Sequence, residues 1–102
     1  MASRLELHEE LCEVLGSRNV YFQPPETVKM VYDAIRYQLG GNAVKRANNS
    51  VYQSVNQYEG VVITRDPDTT IPNALLMRFQ MCSLGRPYTA DNLNHYPFTI
   101  YY

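Results

Sequence analysis

Cys82, His95 and Asp91 are the residue types of a nucleophilic triad: a thiol, an imidazole to take its proton, and a carboxylate to orient the ring. A thiolate near neutral pH needs a helix N-terminus or an adjacent cation, and Cys82 sits within the strand-like run from Phe79 to Leu84, which offers neither. Asp66-x-Asp68-x-Thr70 opens like a calcium loop. Its sixth position is Ile71 where Gly makes the sharp bend, and its twelfth is Met77 where a bidentate Glu belongs, so a turn and a helix cap account better for the two aspartates. His8, on a helix face beside glutamates, and His95, on a strand, have no second ligand at local spacing and read as solvated side chains rather than a metal pair. Gly40-Gly41 is not followed by the Lys-Ser or Lys-Thr of a phosphate-cradling loop. These patterns assign no catalytic residue, no cofactor site and no metal site, and the chain reads as non-enzymatic.

The elements that must carry these residues follow from capping, periodicity and turn chemistry. Ser3-Arg4-Leu5-Glu6 is a capping box, and Leu7, Leu11, Val14 and Leu15 make one apolar stripe that ends at Gly16, which predicts an N-terminal helix lying on a sheet. Val20-Tyr21-Phe22 is a short apolar run cut off by Gln23-Pro24-Pro25, so it is a loop or an edge. From Ala34 to Leu39 the pattern alternates, with Ile35, Tyr37 and Leu39 on one face, and Gly40-Gly41-Asn42 predicts a turn. Residues 43–57, "AVKRANNSVYQSVNQ", are polar and only weakly alternating, and fit either a long hairpin arm or a mobile loop. Tyr58 to Thr64 is a central strand that closes on Arg65-Asp66-Pro67-Asp68. Asp68 is then expected to cap a short helix reaching Met77, with Pro72 in its first turn. Phe79 to Leu84 reads as strand, Gly85-Arg86-Pro87 as turn, and Tyr88 to Asn94 as loop before a last strand. The expected fold is α+β: one domain over residues 1–102, with two helices packed on a mostly antiparallel sheet of four to five strands.

Composition narrows the function classes. Nine Lys and Arg against ten Asp and Glu leave a formal charge of -1, which excludes the electrostatic footprint of non-specific nucleic-acid binding. No apolar run approaches a membrane span, and the N-terminal stretch lacks an apolar signal core, so the chain is expected to stay in the cytosol of the cell that makes it. Cys12 and Cys82 have no local partner spacing and are expected as reduced, packed thiols. Trp is absent, and nine Tyr outnumber three Phe, so the aromatic surface is mostly amphipathic and suits protein interfaces.

The last stretch, "YTADNLNHYPFTIYY", alternates to its final residue and contains Pro97, whose missing N–H disfavours a strand paired on both sides. The expectation is an edge strand that a neighbouring subunit covers, or that the first strand at Val20 to Phe22 covers. Asp91-Asn92-Leu93-Asn94-His95 is dense in side chains that bond to nearby backbone, and reads as a rigid turn or as an ordered loop offered to a partner. Candidate interface residues are therefore Tyr52, Tyr58 and Tyr88, then Asp91, Asn92, Asn94 and His95 of this loop, and Tyr96, Pro97, Tyr101 and Tyr102 of the last strand.

"NVYFQPP" from Asn19 to Pro25, "DPDTTIP" from Asp66 to Pro72, and "MCSLGRPYTADNLNHYPFTIYY" from Met81 to Tyr102 together resemble small neck and tail-completion proteins of long-tailed bacteriophages and prophages. Length and element order look most like the tail terminator. That resemblance implies a homo-oligomeric ring, a hexamer, that sits on the last ring of the major tail tube protein, stops its polymerisation and receives a head-closure or connector protein. Viral DNA would pass through the lumen without sequence-specific binding, with no membrane involved. The expected location is the virion neck, with assembly in the host bacterial cytoplasm. The polar residues 43–57 and the Gly85-Arg86-Pro87 turn depart from the family's pattern, so no loop contacts carry over. Another connector of the same neck, or a small cytosolic binding module unrelated to virions, are the alternatives.

Overall fold

The structure, a computed structural model, describes residues 4–25, 27–47 and 50–102, with the side chains of residues 41–47 and 50–55 outside that description. In chain order the elements are α1 (Arg4–Leu15), β1 (Val20–Phe22), β2 (Ala34–Ala47), β3 (Ser50–Thr64), α2 (Ile71–Arg78), β4 (Cys82–Leu84), β5 (Tyr88–Ala90) and β6 (Leu93–Tyr101). The strands make one mixed sheet in the order β1-β2-β3-β6-β4, with β5 also on β6, and both helices lie on it: the α+β fold expected. Only β1 and β2 run parallel; the other pairs are antiparallel.

The helix α1 buries Leu7, Leu11 and Cys12, with Val14 and Leu15 half-buried beside them, and Gly16 ends it at φ 81° with its N–H on the Cys12 carbonyl. Ser3 of the expected capping box lies outside the described residues. The stripe packs on Ile35 and Tyr37 of β2, Tyr58 and Val62 of β3, and Phe98 and Ile100 of β6, closed on one side by Leu75 and Phe79 of the α2 region. Gly60 is required here, because a Cβ at that position would stand 2.4 Å from the Phe98 ring. On the opposite face a smaller cluster of Val61, Ile63 and Leu93 is covered by Met30 and Tyr32 from the connection after β1.

Tyr37 is fully buried, and its hydroxyl reaches His8 Nδ1 at 2.8 Å and an Arg4 guanidinium nitrogen at 3.4 Å. His8 is thus not the solvated helix residue expected, because the buried hydroxyl needs a partner where α1 crosses β2. Burial, and then the Arg4 charge, hold the His8 ring below its ordinary pKa of 6.5, so it accepts from the Tyr37 hydroxyl in its neutral form.

Several boundaries differ from expectation. Gly40-Gly41-Asn42 is not a turn: β2 runs through it with a register shift between Leu39 and Gly41, and Gly40 makes room for the Glu59 side chain, whose Cγ would lie 3.0 Å from an added Cβ. Residues 43–57 take the hairpin alternative, pairing as far as Ala47 with Ser50. Asp68 does not cap α2; its N–H donates to Asp66 Oδ1 in a local turn, and the N-cap is Thr70, without a side-chain cap bond. Phe79 belongs to the helix exit rather than to β4, since its N–H still bonds the Leu75 carbonyl while its side chain fills the core. Residues 88–94 are not a loop: β5 pairs with β6 across Asp91 and Asn92, at φ 54° and 62°, the two left-handed residues of a type I′ hairpin.

The final strand is the largest correction. It is not an edge and needs no neighbour to cover it, because β3 pairs along one side from Gln57 to Thr64 and β4 and β5 pair along the other. Nor does β1 cover it, lying at the far side of the sheet. The Pro97 carbonyl accepts from the Gly85 N–H at 2.8 Å, so its donor-less nitrogen faces the β4–β5 side, opposite the Gly85-Arg86-Pro87 break. Tyr102 finishes the chain beneath the helices, its hydroxyl donating to Glu10 and its ring edge-on to Phe79, while Arg78 bonds Glu10 at 3.0 Å and Glu13 at 2.6 Å. The Tyr102 hydroxyl is pushed up to about 12, by burial first and then by its bond to Glu10.

Two outcomes follow from this packing. Charging the His8 ring opposes its burial and the nearby Arg4 charge, so its folded pKa lies below its unfolded one. Its contribution is therefore complete above 6.5 and lost as pH falls from there through the folded value, and in a melting-temperature series His8→Gln flattens that limb. In the hairpin, Asp91-Asn92→Asn-Gly raises the melting temperature, whereas alanine at both positions costs on the order of 1–2 kcal/mol in denaturant titration.

Candidate functional site

The sheet has one face under the helices and one largely open, and strand alternation decides which candidate residues reach which. On the open face Arg36 and Gln38 of β2, Glu59 and Val61 of β3, Pro97 of β6 and Tyr88 of β5 line a shallow trough of about 190 Å³. At one end Tyr88 stacks on His95, with ring centroids 4.7 Å apart and planes inclined by 13°, and His95 Nδ1 lies 3.0 Å from the Leu93 carbonyl. The trough thus offers an aromatic plate, one guanidinium and one carboxylate on a surface without depth.

Of the candidate interface residues, Tyr88, His95 and Pro97 come together here, and the half-buried Tyr101 follows them in the same strand phase. Asp91 and Asn92 form the exposed hairpin turn beside them. Tyr58 is a correction: at 4% exposure it belongs to the core, edge-on to Tyr37. Asn94, Tyr96 and Tyr102 share the helix-side phase. The Tyr96 hydroxyl donates to the Pro67 carbonyl and Tyr102 is held by Glu10, so these rings are tied inward rather than offered outward. The Tyr52 side chain lies outside the described residues. Arg36, Gln38 and Glu59 were missed as surface candidates. Their signal was present in the alternation against Ile35, Tyr37 and Tyr58, which places them on the opposite face.

The triad types are divided by the sheet itself. Cys82 pairs in register with Ile100 and packs against the helix-side core, whereas His95 stacks on Tyr88 on the other face. Burial pushes the Cys82 thiol up, away from the thiolate a nucleophile needs. Cys12 and Cys82 are free thiols. His8 and His95 likewise stand on opposite faces, and among the described residues no group of three His, Cys, Asp or Glu is placed to hold a metal ion. No helix of the described residues is long and apolar enough to cross a membrane.

The second surface is a ribbon. The strand β3 leaves β6 at Asn56, which exchanges backbone bonds with Tyr102, and β1 pairs with β2 only up to Tyr37. From Asn42 to Ala47 and from Ser50 to Val55 the two strands therefore pair, among the described residues, only with each other, over roughly 20 Å at 3.4 Å per residue. This extension makes the long axis 50 Å against 27 and 22 Å for the others. A two-stranded ribbon by itself is marginal in water, and among the described residues no third strand pairs with either of its edges.

No protein-family model matches this chain, and no curated protein matches it.

Core and surface tyrosines separate in one experiment. Tyr58→Ala lowers unfolding free energy by on the order of 3 kcal/mol, whereas Tyr88→Ala changes it by less than about 1 kcal/mol. Equal losses in chemical denaturation would place Tyr88 in the core and remove the open face as a binding surface.

Proposed function

We propose that this chain is a non-enzymatic structural subunit of a bacteriophage neck: a tail-terminator-like protein that works as a ring, caps the tail tube and joins tail to head. The observation that carries this reading is the β2–β3 ribbon, a strand pair that extends past the chain's own sheet with both edges unpaired and so calls for another polypeptide beside it. The ribbon takes over the role that the last strand was expected to play. The three segments that carry the resemblance occupy β1 and its proline stop, the turn into α2, and the β4–β6 side of the sheet. The ring partners implied are further copies of the chain, six in all, stacked on the major tail tube protein below and a head-closure protein above. Viral DNA passes through the lumen without sequence-specific contact, which fits a chain of net charge -1.

The divided Cys82 and His95, the shallow trough and the inward-tied tyrosines favour a protein that acts by contact rather than by bond-making. Disrupting the gene in the phage or prophage that carries it, followed by electron microscopy of lysates, tests the assignment. Overlong tails and unjoined heads are the expected outcome. Normal tails with DNA-leaking heads would move the protein to head closure, and intact infectious particles lacking it by mass spectrometry would remove it from the virion.

A further inference from the structure

The sheet ends in two edges that are built differently. At one, β1 is three residues long, stops at Gln23 with φ 45°, and runs into Pro24-Pro25; the Tyr21 hydroxyl accepts the Val31 N–H and so holds the following connection alongside. Prolines and a covering segment are the usual means of making an edge unavailable, whereas the three-residue length is common to both edges. At the other edge β4, Cys82-Ser83-Leu84, has neither proline nor charge. Tyr101 donates to the Met81 carbonyl and Gly85 donates to the Pro97 carbonyl, so the odd-numbered residues here face β6. The N–H and C=O groups of Cys82 and Leu84 therefore point outward, where the strand order ends. Leu84 and Met81 beside this edge, and Leu76 and Met77 on neighbouring α2, are exposed large apolar side chains, Met77 at 89%.

We propose that the ribbon of one copy lies along the β4 edge of a second copy and extends its sheet by backbone pairing, in head-to-tail fashion. Each surface supplies what the other lacks. The ribbon has, among the described residues, unpaired strand edges and is marginal by itself, and β4 has outward donors and acceptors flanked by apolar side chains. Because ribbon and edge are different surfaces of one chain, the contact is heterologous and builds a ring or a filament, not a two-fold dimer. The inference rests on the self-assembly in the reading above but not on the virion assignment.

Two variants test it. The first replaces residues 44–54 with Asn-Gly, closing on the Ala43–Val55 pair; this is a bonded pair because Asn56 directs its own backbone groups to Tyr102. The second is Leu84→Pro, which removes an outward N–H that β6 does not use, with Leu84→Lys as the substitute should the proline variant lose its cooperative melt. In light scattering coupled to size exclusion the wild-type chain associates with rising concentration, while each variant alone stays monomeric. Mixed in equal amounts they form a one-to-one complex and stop, because one keeps the edge and the other the ribbon. Wild-type protein that is monomeric at its highest soluble concentration, variants that still associate, or a mixture without a complex overturns the proposal. A one-to-one complex from a chain absent from virions would leave this contact standing and remove only the neck assignment.

Discussion

The strand β6 bonds to three other strands, and the rest of the molecule is arranged around satisfying its backbone. A strand in the interior of a sheet must pair every N–H and C=O on both sides, since a polar group left unpaired there costs as much as a lost hydrogen bond. One side of β6 is met by β3. The other is met by a line of two short strands, β4 and β5, broken at Gly85-Arg86-Pro87. Pro97 has no N–H to offer, and it faces that break. The proline and the interruption thus belong to one solution: the strand that cannot donate at one point is paired by a partner that does not ask it to.

That arrangement sets the two layers. With β6 inside the sheet, Phe98 and Ile100 lie under α1 and require Gly60 across from them, while Leu93 and the Tyr88–His95 stack occupy the opposite face. The helix layer is then tied to the end of β6 through Tyr102, Glu10, Arg78 and Glu13. Exposed ion pairs of this kind add little stability singly. Here the edge-on contact of the half-buried Tyr102 with the buried Phe79 gives them a fixed geometry. The same division of faces keeps Cys82 from His95, so residue types that could form a reacting group have no common space.

Sequestering the last strand also relocates the surfaces available to partners. If β6 had been an edge, a neighbour would have paired with the C-terminal residues. With β6 enclosed, the open strand edges among the described residues include β4, β5 and the long arms of β2 and β3 beyond the core. The proposed ring reading draws on these surfaces, and it depends on the resemblance of the β1, α2-entry and β4–β6 segments for its biological setting.

Local signals in the sequence decided much of the architecture. The stripe of Leu7 and Leu11 with Gly16 after it determined α1, and alternation around Ile35, Tyr37 and Val62 determined the central strands, because periodicity reports directly which side of an element is buried. The Asp91-Asn92 turn was legible as rigid but not as the hinge of a hairpin, since β5 is three residues long and forms only because β6 is there to pair with it. Gly40-Gly41 is ambiguous locally: glycine permits a turn and equally permits a bulge, and the crossing Glu59 side chain settles it. Tyr58 and Tyr88 have the same chemistry and no local mark to separate core from surface; that depends on strand phase and on where the helices lie. Pro97 likewise reads as an edge residue when only its missing donor is considered. What only the tertiary structure decided was which long-range partner each group met, because pairing between distant strands is a property of the closed chain and leaves no periodic trace in the residues themselves.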